Sequence, residues 1–214
     1  MAEELGKIEK PSVDSFKKGR KLFFVPVLYS GEGSPEEYTK LLNKYWEQVS
    51  RQLDDLSLKL GAVARIYHEM IDAGGEQGAS AITELDERSS KIIKSFIDKK
   101  AQLEALEDSN ILTEYMDWSR CLMIGLQNQG VMSKVYESYL EAGKKRNEYI
   151  KKKIDETLKE NEIGILMMRE NHQVQFPADI QVFYVAPPAL DEVKRWSREQ
   201  ESKPAKGDPG KEET

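Results

Sequence analysis

Three residues in this sequence have types and settings suited to chemistry: Glu69 in "ARIYHEM", Arg146 in "KKRNEYI" and His172 in "GILMMRENH". A carboxylate and an imidazole can share the work of activating a water, and a guanidinium can hold an anionic substrate or a developing oxyanion. His172 follows an apolar run, in a place where a general base, a metal ligand or a hydrogen-bonding turn residue can all sit. A structural or solvated histidine is the competing reading, because one histidine is not a motif. The only other histidine, His68, is the neighbour of Glu69 on an expected strand, so the two point to opposite faces and make poor partners. Their "HE" also lacks the second histidine of a metalloprotease helix. Arg146 falls on the apolar stripe Val135, Tyr139, Ala142, Ile150 and Ile154 of an expected helix. A desolvated guanidinium is costly alone, so it calls for a carboxylate, phosphate or ligand partner, and Glu69, Glu104 or Glu107 can supply one. The alternative is that the helix drifts and Arg146 reaches solvent along its apolar stem.

The elements that must position these residues follow from periodicity. "KLFFVPVLYS" reads as a strand buried on both faces, with Pro26 removing one ladder donor. Ser34, Pro35 and Glu37 form a helix start, and Tyr38, Leu41, Leu42, Tyr45, Val49, Leu53, Leu56 and Leu60 continue it at helical spacing. "GAVARIYHEM" is a second strand ending near Glu69, and "DAGGEQGAS" reads as a loop. Ile82, Leu85, Ile92, Ile93, Phe96 and Ile97 predict the next helical stripe, and the alternation in "AQLEALED" a short third strand. Asn110 is the expected cap of a further helix, "GLQNQG" breaks it, and another helix runs from about Met132 to Leu158. "IGILMMR" and "IQVFYVA" are the last strands, and Pro187 and Pro188 lead into a terminal helix. Apolar strands alternating with amphipathic helices predict an α/β fold, with a mainly parallel sheet of four to five strands covered by long helices on both faces. The expected organisation is a mobile arm over residues 1–20, a single α/β domain over 21–199 and a disordered charged tail over 200–214. Ligands gather at the carboxyl ends of such strands. Those ends are Tyr29 and Ser30, His68 and Glu69, Glu107 and Asp108, and residues 169–172.

Composition narrows the function classes. A formal net charge of -6 over 214 residues disfavours nucleic acid as a partner, and the basic stretches "FKKGRK" and "KKR" followed by "KKK" lack the interleaved aromatics of a single-strand binder. Cys121 is the only cysteine, so an internal disulfide, a cysteine-type zinc site and an iron–sulfur cluster are all out of reach of this chain alone. A charged N-terminus and no long apolar run point to a cytoplasmic protein that is neither exported nor inserted in a membrane. There is no P-loop, dinucleotide glycine fingerprint or nucleophile elbow, and no cofactor or metal is specified.

In order and content these features resemble the TIKI/TraB superfamily, which includes erythromycin-esterase-like and haem-binding ChaN-like proteins. Its members share a strand ending in GxxH, a second strand followed by a glutamate, a late helix with arginine in an R(N/D)xY setting, and a closing strand leading to another histidine. The matching positions here are Glu69, Arg146 and His172, within residues 21–185. The first strand reads "VPVLYS" and carries no histidine, and "RENH" stands where glycine, two residues and histidine would be. The resemblance implies hydrolysis, metal-dependent in some members, at the strand ends. The departures imply that a two-histidine site cannot form, since Tyr29 or Ser30 would have to substitute and neither is a good nitrogen-type ligand.

Three readings follow. The first is a TIKI/TraB-like protein with degenerate catalytic equipment and a strand-end pocket that binds a small anionic ligand or is inactive. The second is an active hydrolase in which Glu69 and His172 activate water and Arg146 holds the anion. The third is a non-enzymatic protein whose long helices pair with a partner or with a second copy of the chain, marked by an exposed apolar patch along the helices before Gly130. The first two require Glu69, Arg146 and His172 to converge in one concavity.

Overall fold

The computed structural model describes residues 18–31 and 33–202. Most of the expected arm and tail lies outside these residues. Arg20 is not part of an arm: it opens the first strand, β1 (Arg20–Pro26), and forks onto Asp179 at 2.6 and 2.8 Å while also reaching Asp155 at 2.7 Å. At the other end, the last helix continues through Glu201.

The chain continues through α1 (Glu36–Leu60), β2 (Val63–His68), α2 (Gly75–Leu85), α3 (Glu87–Asp98), β3 (Gln102–Leu103), α4 (Ser109–Met123), α5 (Gln129–Thr157), β4 (Ile163–Met168), β5 (Ile180–Tyr184) and α6 (Pro188–Glu201). The five strands form one sheet in the order β3-β2-β4-β1-β5, and every pairing is parallel. β1 and β4 lie inside the sheet and are buried along nearly their whole length, which is why both read as continuous apolar runs. Pro26 ends β1: Val27 makes the next bond on the β4 side, to the Met168 carbonyl at 3.0 Å, and the Pro26 carbonyl accepts from the Tyr45 hydroxyl at 2.5 Å.

The two faces are covered unequally. Phe23, Val25, Ile66, Ile165 and Met167 pack beneath Leu42, Tyr45, Val49 and Leu53 of α1, with Ile82 of α2, Ile93 and Phe96 of α3 and Val193 of α6. Leu22, Phe24, Tyr67, Leu166 and Met168 on the opposite face meet Ile150 and Ile154 of α5. Five of the expected boundaries shift, each for a local reason. Helix α1 begins one residue after Pro35, and the Ser34 hydroxyl donates to the Gly31 carbonyl at 2.9 Å instead of capping. Most of "GGEQGAS" is helical in α2, and Gly78 serves close packing within it, since a Cβ there would lie 2.3 Å from the Ala73 carbonyl oxygen. The stripe from Ile82 to Ile97 is two helices, parted by Asp86, whose carboxylate accepts the Ser89 N–H at 2.8 Å and caps α3. Asp108 rather than Asn110 caps α4, accepting from Asn110 and Ile111 at 3.0 Å. Asn128 caps α5 through Val131 at 3.1 Å, so that helix starts three residues before Met132.

Helices α4 and α5 form a hairpin. α4 packs on α5 and has no buried residue of its own, whereas α5 is buried at Val135, Ala142, Arg146, Ile150 and Ile154. From Ala142 onward α5 leads onto the sheet; most of the residues before it, and α4, extend the hairpin.

Candidate functional site

Glu69 stands one residue beyond β2, and its N–H extends the ladder to the Met167 carbonyl at 2.9 Å. Strand alternation sends Ile66 to the α1 face and Tyr67 to the α5 face, so Glu69 projects toward α5, where Arg146 lies, and His68 projects away from it. The Glu69 carboxylate is 2% exposed. Its oxygens receive the Tyr29 hydroxyl at 3.3 Å and Arg169 Nε at 3.2 Å, with Arg146 Nη2 at 4.0 Å. Burial pushes this carboxyl above its ordinary range, and the arginines and Tyr29 hold it back.

Arg146 has the carboxylate partner that its place on an apolar stripe demands, and the main partner is Glu107. Its Nε lies 3.0 and 3.1 Å from the two Glu107 oxygens, and Nη2 closes the fork on Oε1. Burial alone would lower the guanidinium, and Glu107 overrides it and raises it. Glu107 also accepts the Met70 N–H at 3.1 Å, from a residue held at a φ of 69°, in the left-handed region that a methionine rarely adopts. Glu104 is taken elsewhere, by Arg65 at 2.6 Å. The Arg146 guanidinium lies over the Tyr115 ring at 5.1 Å, and Tyr115 stacks on Tyr139 with their hydroxyls 3.0 Å apart. Burial, then the Tyr139 hydroxyl, pushes Tyr115 up to about 12.

His172 makes its contacts on another part of the sheet. Its ring meets Phe24 edge-on at 4.8 Å and Phe176 at 5.6 Å, and its Nδ1 accepts the Val174 N–H at 3.2 Å. None of these partners is shared with Glu69 or Arg146. The imidazole is neutral as an acceptor, and burial lowers its pKa further. The residue of this segment that does reach Glu69 is Arg169, which also lies over the Tyr29 ring at 5.8 Å. Its signal in the sequence was position alone: it follows β4 directly, as Glu69 follows β2.

His68 is fully buried on the α1 face. Its Nδ1 lies 2.6 Å from the Glu69 carbonyl oxygen, which fixes Nδ1 as the protonated nitrogen, and among the described residues its Nε2 has no hydrogen-bond partner. Burial lowers its pKa to about 4. Among the described residues no three histidine, cysteine, aspartate or glutamate side chains come together as metal ligands, so the donor set does not fit the metal that the TIKI/TraB resemblance implies. A groove of about 530 Å³ lies away from this cluster. It lies beyond the edge strand β3, over Ala79, Ile97, Ala101 and Leu103, with Glu76, Lys94, Asp98 and Glu104 among its rim.

The chemistry of the Glu69 cluster is that of a tie. Glu107 directly precedes the cap of α4, Arg146 lies in α5, and Glu69 and Arg169 follow the two strands at the centre of the sheet. Two carboxylates and two guanidiniums thus fasten the base of the hairpin to the sheet. The exposed apolar patch is expected along the helices before Gly130, and the open apolar side chains of the hairpin lie on both sides of that residue. Met123 is 74% exposed and Ile124 71%, and Val131, Tyr136 and Leu140 are exposed as well. Comparison of the chain with protein-family models, with curated proteins and with solved structures finds no match to any of them.

Proposed function

We propose that this chain is a non-enzymatic interaction protein, an α/β body that holds out the α4–α5 hairpin as its contact arm. The observation that carries this reading is the clustering of exposed apolar side chains on the hairpin, where Met123, Ile124, Val131, Tyr136 and Leu140 all stand open; elsewhere Leu58, Leu85, Val182 and Tyr184 are spread over α1, α2 and β5. On α4 itself Ile111, Leu112, Met116, Trp118 and Leu122 are half-buried and none is fully buried, and Met123 and Ile124 stand open at its end. Burying a side chain of that size stabilises by roughly 1.5–3 kcal/mol, which an association could supply and the isolated chain forgoes. A pocket or a hydrolytic centre at Glu69 has less support. A general base must reach a water, and the Glu69 oxygens face Tyr29, Arg169 and Arg146.

The reading is tested by replacing Met123, Ile124 and Val131 together with lysine, then comparing melting temperature and the fluorescence of an apolar-surface dye at low protein concentration. The expected result is a melting temperature within about 2 °C of wild type, as for surface positions, with most of the dye signal lost. A drop of many degrees would show that these side chains stabilise the body itself. An unchanged dye signal would show that they present no open apolar surface. Either result overturns the proposal.

A further inference from the structure

The outward face of α5 carries its own pattern. Glu137, Leu140 and Lys144 follow one another at i, i+3 and i+7, with Tyr136 four residues before Leu140, so these four share one side of the helix. Val135 and Ala142 lie about half a turn away, on the buried side. Leu140 is 51% exposed and Tyr136 52%. Neighbouring charges are engaged within the hairpin, Lys145 with Glu114 at 3.5 Å and with Glu141 at 3.8 Å. Glu137 and Lys144, by contrast, take part in no ion pair within the described residues. One acidic and one basic side chain, both unpaired, flank a half-exposed leucine at three residues before it and four after it.

We infer that the partner of the arm is a second copy of this chain, and that the two α5 helices pair antiparallel about a two-fold axis passing near Leu140. This inference rests on the hairpin's being the contact arm. An axis there sets Leu140 against its own copy and Tyr136 against the stem of Lys144, and it brings Glu137 of each chain to Lys144 of the other. Both unpaired charges find opposite partners twice over, from one helix face. A parallel pairing would set Glu137 against Glu137 and Lys144 against Lys144, which is repulsive.

The experiment is sedimentation velocity over a concentration series of the full chain, with Leu140→Glu, Glu137→Lys and Lys144→Glu as single variants and with the last two mixed. The expected wild-type result is a reversible dimer. Leu140→Glu is expected to be monomeric with an unchanged melting temperature, and each charge variant alone to weaken the dimer about tenfold. The mixture of Glu137→Lys with Lys144→Glu is the diagnostic arm. In the mixed dimer both ion pairs are restored, so it forms in preference to either homodimer. A wild-type chain that stays monomeric throughout overturns self-pairing. If the lysine replacements at the hairpin end still abolish dye binding, the contact-arm reading stands and its partner is another molecule. A wild-type dimer indifferent to Leu140→Glu and to the charge exchange overturns the interface.

Discussion

Arg146 and Glu107 form a buried, forked ion pair whose contribution is conditional on both members being present. Each is buried, so removing either leaves an uncompensated charge away from water. Glu107→Gln is expected to destabilise the chain by about 3–5 kcal/mol in urea unfolding. The double replacement Glu107→Leu with Arg146→Met is expected to cost less than either single change, because it leaves no orphan charge. A double variant as unstable as the sum of its singles would mean that the pair is not the coupling element. His68 gives a second residue-scale prediction. Its folded pKa, about 4, lies below the ordinary 6.5, so the unfolded chain binds the proton first. Its contribution is present above pH 6.5 and is lost as pH falls toward 4, by about 3 kcal/mol in full. Glu69 works in the opposite sense, since its raised folded pKa favours the folded chain as pH falls. The difference in stability between wild type and His68→Asn, measured from pH 7 to pH 4, isolates the histidine. A difference that does not change with pH would show that His68 keeps an ordinary pKa in the folded chain.

At the scale of elements, the parts legible in the sequence were those where one rule acts alone. β1 and β4 are buried on both faces and read as apolar runs, and α1 buries a regular stripe. The parts that were not legible depend on two elements at once. The glycines around Gly78 look like a loop until the edge strand is brought beside them, where Leu103 and Ala73 leave no room for a Cβ. The split between α2 and α3 hides inside one continuous apolar stripe, because Asp86 interrupts the backbone without interrupting the pattern. The candidate site divides in the same way. A charge on an apolar stripe announces that Arg146 needs a partner, but the choice among Glu69, Glu104 and Glu107 is made by the turn after β3, where Leu106 and Glu107 both donate to the Ile71 carbonyl at 3.0 Å. His172 was placed at a strand end by sequence order. The short turn closed by its own N–H on the Arg169 carbonyl at 3.2 Å directs it to Phe24 instead of Glu69.

The whole molecule joins two regions of different character. The sheet with its helices is a conventional α/β body, whose buried side chains interlock on both faces. The hairpin is fastened to it at the base by four charges and beyond that base exposes Met123, Ile124, Val131, Tyr136 and Leu140 among its charged side chains. Local stability should follow the same division, with the outer hairpin drawn from the low end and the central strands from the high end. Hydrogen exchange read by mass spectrometry at two protein concentrations tests this most directly. At low concentration, peptides from residues 109–140 are expected to exchange well before those of β1 and β4, and on raising the concentration the hairpin peptides alone should slow. Hairpin peptides protected as strongly as the central strands at low concentration, and unaffected by raising it, would contradict the account.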